Sequence, residues 1–89
     1  MEFTWNPDKR LANIRKQGLD FSDAERVFSG RTLTSQDHRF DYCEARVSTM
    51  GLLGDTVVVI AHTESDDNIR IISMRKAVRH EREKYFECL

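Results

Sequence analysis

ARVSTMGLLGDTVVVIAHTESDDNIRIISM, residues 45–74, holds three runs rich in Val, Ile and Thr, parted by Gly54-Asp55 and by the polar SDDN of 65–68. Runs of this composition joined by short polar reversals read as an antiparallel β-meander. With Gly54-Asp55 as a two-residue turn, Leu53 faces Thr56, Val47 faces His62 and Arg46 faces Thr63. With Asp66-Asp67 as the next turn, His62 meets Ile71 and Thr63 meets Arg70. Directly opposed side chains share a face. Arg46, Thr63 and Arg70 are therefore expected in one row, and Val47, His62 and Ile71 in the neighbouring row on the other side. A one-residue change in either turn would exchange the faces.

Upstream, Phe3 and Trp5 alternate with polar neighbours as in a short strand, and NPD supplies an N-cap at Asn6 with Pro7 at the first helical position. The helix that follows is expected to turn Leu11, Ile14 and the stem of Arg15 inward and to end at a left-handed Gly18. Ser22 and Glu25 have capping-box spacing before a second short helix with Ala24, Val27 and Phe28 on its apolar face, stopped by Gly30. TLTSQDHRF reads as a sheet-edge strand and DYCEA as a connection. Downstream, Ser73 is the expected N-cap of a final helix from about residue 75, with Val78, the methylenes of Arg82, Tyr85 and Leu89 inward. The sum is an α+β fold: two N-terminal helices and a C-terminal helix, one helical layer on an antiparallel sheet.

Eighty-nine residues suit one domain, here 1–89. The longest apolar run, VVVIA at 57–61, is far short of the roughly 20 residues of a membrane helix. The opening MEFTWNPDK lacks the basic flank and apolar stretch of a secretory signal, so a soluble, cytoplasmic protein is expected. Cys43 and Cys88 have no CxxC partner spacing and read as free thiols. A net charge of −1 excludes a globally basic polyanion binder. The cations are nonetheless concentrated: Arg70, Arg75, Lys76, Arg79, Arg82 and Lys84 stand against only Glu81 and Glu83 between 70 and 84.

Two arginines on one sheet face repel unless water, an acid or an anion lies between them, and a phosphate fits that gap. The plainer alternative lays both stems along apolar surface with their heads in water. Arg75 and Lys76 follow at the strand end, where they would reach the same rim or, as in any surface helix, pair with Glu81 and Glu83, for instance Arg79 with Glu83. His62 ends an apolar strand as a half-buried histidine whose titration range also makes it the best-placed proton carrier, although its expected face is the wrong one. His38 and His80 read as surface residues, and Tyr85 as packing for the last helix. The sequence contains no Gly-rich phosphate loop, EF-hand, HExxH or GxSxG.

Three blocks occur in order along the chain: Trp5, Lys9, Asn13, Lys16 and Gly18 followed by Phe21, Ala24, Val27 and Phe28; Glu44, Arg46 and Gly51; and HTE at 62–64 with IRIISMRKA at 69–77, Glu81-Arg82 and Tyr85. In these it resembles the BrnT family of bacterial type II toxins, small ribonucleases of the RelE-like superfamily. The resemblance implies a RelE-like fold, metal-independent RNA cleavage that arrests translation, and neutralisation by a BrnA-like ribbon-helix-helix antitoxin whose complex with the toxin represses the operon at its operator DNA. No cofactor or metal is implied. Arg46, Arg70 and Arg75 would hold the charge that builds on the phosphorane, because a guanidinium fork binds two phosphate oxygens and stays charged. His62 and Glu64 are the candidate acid and base, with Lys16, Lys76 and Arg79 guiding the RNA. Gln17 replaces the family's usual histidine and Ser65 an arginine often found there, which lowers the expected activity. The rival readings are a weak or inactive module that only binds an antitoxin and tunes repression, and a DNA-binding protein using the basic helix.

Overall fold

The structure, a computed structural model, describes residues 2–36 and 46–88; the expectations for His38, Cys43, Glu44, the 41–45 connection and Leu89 fall outside them. In chain order come β1 (Glu2–Trp5), α1 (Pro7–Gln17), a 3-10 turn (Phe21–Asp23), α2 (Ala24–Phe28), β2 (Thr32–Gln36), β3 (Val47–Leu53), β4 (Thr56–Ser65), β5 (Asn68–Lys76) and α3 (Arg79–Glu87).

The meander forms in the expected register: Leu53 opposes Thr56, Val47 opposes His62, His62 opposes Ile71 and Thr63 opposes Arg70. Gly54, at φ 64°, makes the first reversal, a value that the first residue of a tight hairpin turn needs and that Gly reaches without a Cβ clash. β2 is an edge strand, as expected, and the order across the sheet is β1-β5-β4-β3-β2. The sheet is mixed rather than wholly antiparallel, because β1 runs parallel to β5 from Glu2 opposite Asn68 to Trp5 opposite Ile71. Phe3 against Phe28 and Trp5 against Phe21, ring centroids 5.5 and 6.4 Å apart, hold that strand under the helices.

One irregularity reshapes β5. Ala61 pairs with Ser73 but His62 with Ile71, so Ile72 is an extra residue in the strand. Beyond this bulge the alternation is inverted. Ile71 and Met74 both enter the core beneath α1 and α2, and Arg70, Ser73 and Arg75 share the opposite face.

The helices cover both faces, not one. Leu19, Phe21, Ala24 and Val27 pack on Val58, Ile60, Ile69, Ile71 and Met74, while Tyr85 of α3 packs with Val57, Val59 and Ala77 on the other side. The cause is the VVVI run of β4: successive residues point to opposite faces, so four buried apolar residues in a row need cover on both.

Three local expectations are corrected by hydrogen bonding. α1 is capped by the Asn6 side chain and closed by Gly18 at φ 71°, as expected, but Leu11 is 49% exposed and Arg15 points outward. Arg10, Asn13, Ile14 and Gln17 turn inward instead. Arg10 forms a two-point ion pair with Asp20 at 2.7 and 2.8 Å, and Asn13 donates to Leu19 O and accepts from Met74 N–H. Ser22 caps nothing: Asp20 caps the 3-10 turn by accepting from Ser22 N–H, and α2 follows from Asp23 without a side-chain cap. Ser73 stays within β5, and α3 begins four residues later than expected because Glu81 reaches back to accept the Val78 N–H at 2.9 Å. Val78 is consequently exposed and Arg82 turns its guanidinium onto Ala77 O, while Tyr85 is fully buried and donates to Arg31 O at 2.7 Å. No helix among the described residues is long and apolar enough to cross a membrane.

Candidate functional site

α3 shields only part of its sheet face. Under it lie Val57 and Val59 with Leu33 and Met50. The next row is small and polar: Ser35 opposes Ser48, Ser48 opposes Ala61 and Ala61 opposes Ser73. The row after that carries Thr63, Arg70 and Thr4, and Arg46 stands one residue before Val47, at the level of Thr63. Small side chains between two taller rows make a shallow trough. Arg46 and Arg70 stand on one wall, and Arg75, opposite Val59, stands on the other. The four residue steps of β4 from Val59 to Thr63 put the two walls about 13 Å apart, at roughly 3.3 Å per residue.

The bulge at Ile72 puts Arg70 and Arg75 on one face, since five residues of regular strand would separate them onto two. They do not converge on one point. Arg75 is held by Glu81 in a two-point ion pair, Nη1 to Oε1 at 2.7 Å and Nη2 to Oε2 at 2.8 Å. The Arg75 hydrogen bonds, with the Val78 N–H, hold the Glu81 carboxyl down to about 2, and the carboxylate pushes the Arg75 pKa further up. The two remaining Nε and Nη2 hydrogens of Arg75 point along the other side of its fork. Arg79 is paired with Glu83 at 3.1 Å, as its spacing suggested, and Lys76 lies opposite Val58, on the other face from Arg75.

His62 and Glu64 are not brought to the arginine row. His62 is fully buried on the α1–α2 side, its Nε2 2.8 Å from Thr49 Oγ1, which lies 2.9 Å from Thr34 Oγ1, and Phe28 presents an edge to its ring. Glu64 approaches His62 Nδ1 at 3.6 Å from that same side. Burial pushes the imidazole pKa down and Glu64 opposes this, so the ring is neutral near pH 7. Its role there is a buried polar tie between β2, β3 and β4.

A second concavity, ≈ 360 Å³, lies between α1 and the β5 edge that β1 leaves uncovered, and it brings Lys16 together with Lys9, Gln17, Ser73 and Arg75. Lys9 and Ser73 were not singled out for chemistry in the sequence. The i, i+7 spacing of Lys9 and Lys16 was the available signal, but the bulge that brings Ser73 and Arg75 to them has none.

The sequence model of the family described as "Ribonuclease toxin, BrnT, of type II toxin-antitoxin system" matches residues 5–81. Among solved structures, the crystal structure of the Brucella abortus ribonuclease toxin, BrnT, superposes with a TM-score of 0.65 at 26% identity, covering 89% of this chain and 99% of that one. No curated protein matches.

Proposed function

The chain belongs to the BrnT family of type II ribonuclease toxins, and from that premise we propose that it is a RelE-like endoribonuclease that cleaves RNA without a metal and arrests translation until a BrnA-like ribbon-helix-helix antitoxin sequesters it. Operator DNA is then met only through the toxin–antitoxin complex. The observation that carries the reading is the one sheet face shared by Thr63, Arg70 and Arg75, with Arg46 one residue before Val47 at the level of Thr63.

In the reaction a ribose 2′-oxygen attacks its own 3′-phosphorus and the bond to the 5′-oxygen of the next nucleotide breaks. The 2′-oxygen loses a proton and the leaving oxygen gains one. Between those events the phosphorane carries extra negative charge, which Arg46 and Arg70 stabilise across the Thr63 row, each by a fork matched to two phosphate oxygens. Arg75 is a weaker participant, because Glu81 already neutralises it and occupies one edge of its fork. His62 acts from the opposite side of the sheet by tying strands together, with Glu64 beside it on the same strand, which leaves the two proton transfers to other groups.

The Arg75–Glu81 pair also favours the second reading, an antitoxin-binding module with weak activity. Expression of the chain alone, followed by primer extension on cellular RNA, separates the two. Wild type is expected to arrest growth and cut RNA, and Arg46→Ala/Arg70→Ala to do neither while still binding the antitoxin. Loss of one such donor typically costs about a hundred- to a thousand-fold in rate. A wild type that binds the antitoxin but cuts nothing returns the chain to the module.

A further inference from the structure

Lys9, Lys16 and Arg75 surround the groove between α1 and β5, and no Asp or Glu is among the residues that line it. Arg75 arrives already paired with Glu81, so the charge that lacks a partner here is that of Lys9 and Lys16, which repel each other unless an anion joins them. Elsewhere the chain supplies its own: Arg10 has Asp20, Arg26 has Asp23 and Arg79 has Glu83. Lys9 and Lys16 form no ion pair among the described residues. They stand two turns apart on one side of α1, about 10.5 Å along its axis.

Neutral donors complete the set. The Gln17 amide and the Ser73 hydroxyl line the same groove, and neither has a hydrogen-bond partner among the described residues. Arg75 contributes the Nε side of its fork, which Glu81 orients from the other edge and which no hydrogen bond among the described residues uses. Asn13 commits both ends of its amide to Leu19 O and Met74 N–H, so the helix is fixed against the strand and the groove is already formed.

Ser73 and Arg75 belong to the trough and the groove alike, so the groove continues the trough over the β5 edge. We propose that it is a second phosphate site, which takes the backbone of single-stranded RNA on one side of the bond that breaks. This rests on the ribonuclease reading above. The donors are all charged or hydroxyl and amide groups suited to phosphate oxygens.

The test uses the full chain and a fluorescent 2′-O-methyl oligoribonucleotide, which has no 2′-hydroxyl and is not cleaved, with binding followed by anisotropy over a salt series. Lys9→Ala/Lys16→Ala is expected to bind about tenfold or more weakly, with a salt slope shallower by about 0.7 for each phosphate that is no longer neutralised. Gln17→Glu, which adds an anion to the groove, is expected to weaken binding as well, and Lys9→Arg/Lys16→Arg to retain it. Unchanged affinity and slope in the alanine pair overturns the proposal, as does a wild type that fails to bind the strand. Inorganic phosphate supplies a further arm: if it shifts the amide resonances of residues 16–18 and 73–75 while strand binding ignores the alanine pair, the groove is a free-anion site and the RNA assignment falls. Because the strand cannot be cut, a chain that binds it but cleaves no natural RNA defeats the ribonuclease reading alone.

Discussion

Glu81 does two jobs with one carboxylate: it accepts the Val78 N–H that starts α3 and it fixes the Arg75 fork. Its pKa falls to about 2 in the folded chain, against about 4.3 when unfolded. The unfolded chain therefore binds more protons between those values, and the stability from this pair is full above about pH 4.3 and lost as pH falls toward 2. Asp20, lowered chiefly by its hydrogen bond from Arg10, acts in the same direction. Glu81→Gln should lower the urea midpoint at pH 7 and flatten its fall between about pH 4.5 and 2.5. A midpoint with the wild-type pH dependence would mean that the carboxylate stabilises nothing. At this scale the sequence was readable where a residue has one local partner, as in Asn6, Gly18 and the Arg79–Glu83 pair. It was not readable where a polar side chain chooses a distant partner: Asn13 and Met74 are 61 positions apart, and no periodicity records that bond.

Among the elements, the meander was legible because two short polar turns and alternating β-branched residues allow one register. The extent of α3 was not, since Ser73 is as good a cap by type as any and only the reach of Glu81 decides the start. The side on which α3 packs was written in VVVI but was missed, because a run without alternation marks a strand buried on both faces. The α2–β3 contact shows how little slack these elements have. A Cβ built on Gly51 would lie 2.6 Å from Val27 Cγ1 and 3.3 Å from Thr32 Cγ2, with Val27 itself fully buried. Gly51→Ala should therefore cost roughly 1–3 kcal/mol through overpacking, measured by chemical denaturation, and Val27→Ala in the same background should recover part of it. An unchanged midpoint for Gly51→Ala would show that α2 yields freely.

For the whole molecule, the net charge of −1 and the internal pairing of most of the arginines on and beside α3 argue against the basic helix as a duplex-binding surface. Arg79 is neutralised by Glu83, Arg75 by Glu81, and Arg82 is turned to a backbone carbonyl. The trough and the α1–β5 groove, with Arg46 and Arg70 at one end and Lys9 and Lys16 at the other, form a path for one strand. The isolated chain should therefore bind a single-stranded RNA at least about tenfold more tightly than a DNA duplex of equal length at the same salt, in parallel anisotropy titrations. Equal affinity would restore the duplex reading. The arginine row was legible because register alone determines it; the groove was not, because it needs α1, an uncovered strand edge and an irregular β5 in one place.

That irregular strand sets a rule for how the gene can drift. One surplus residue at Ile72 assigns Arg70 and Arg75 to a common side across five positions, so a chain that lost that one codon would keep both guanidiniums on that side in a regular strand, whereas one codon gained with the bulge kept would reverse the parity of everything downstream. Relatives should thus keep this length or be one residue shorter there, the shorter ones pairing with the neighbouring strand without the bulge.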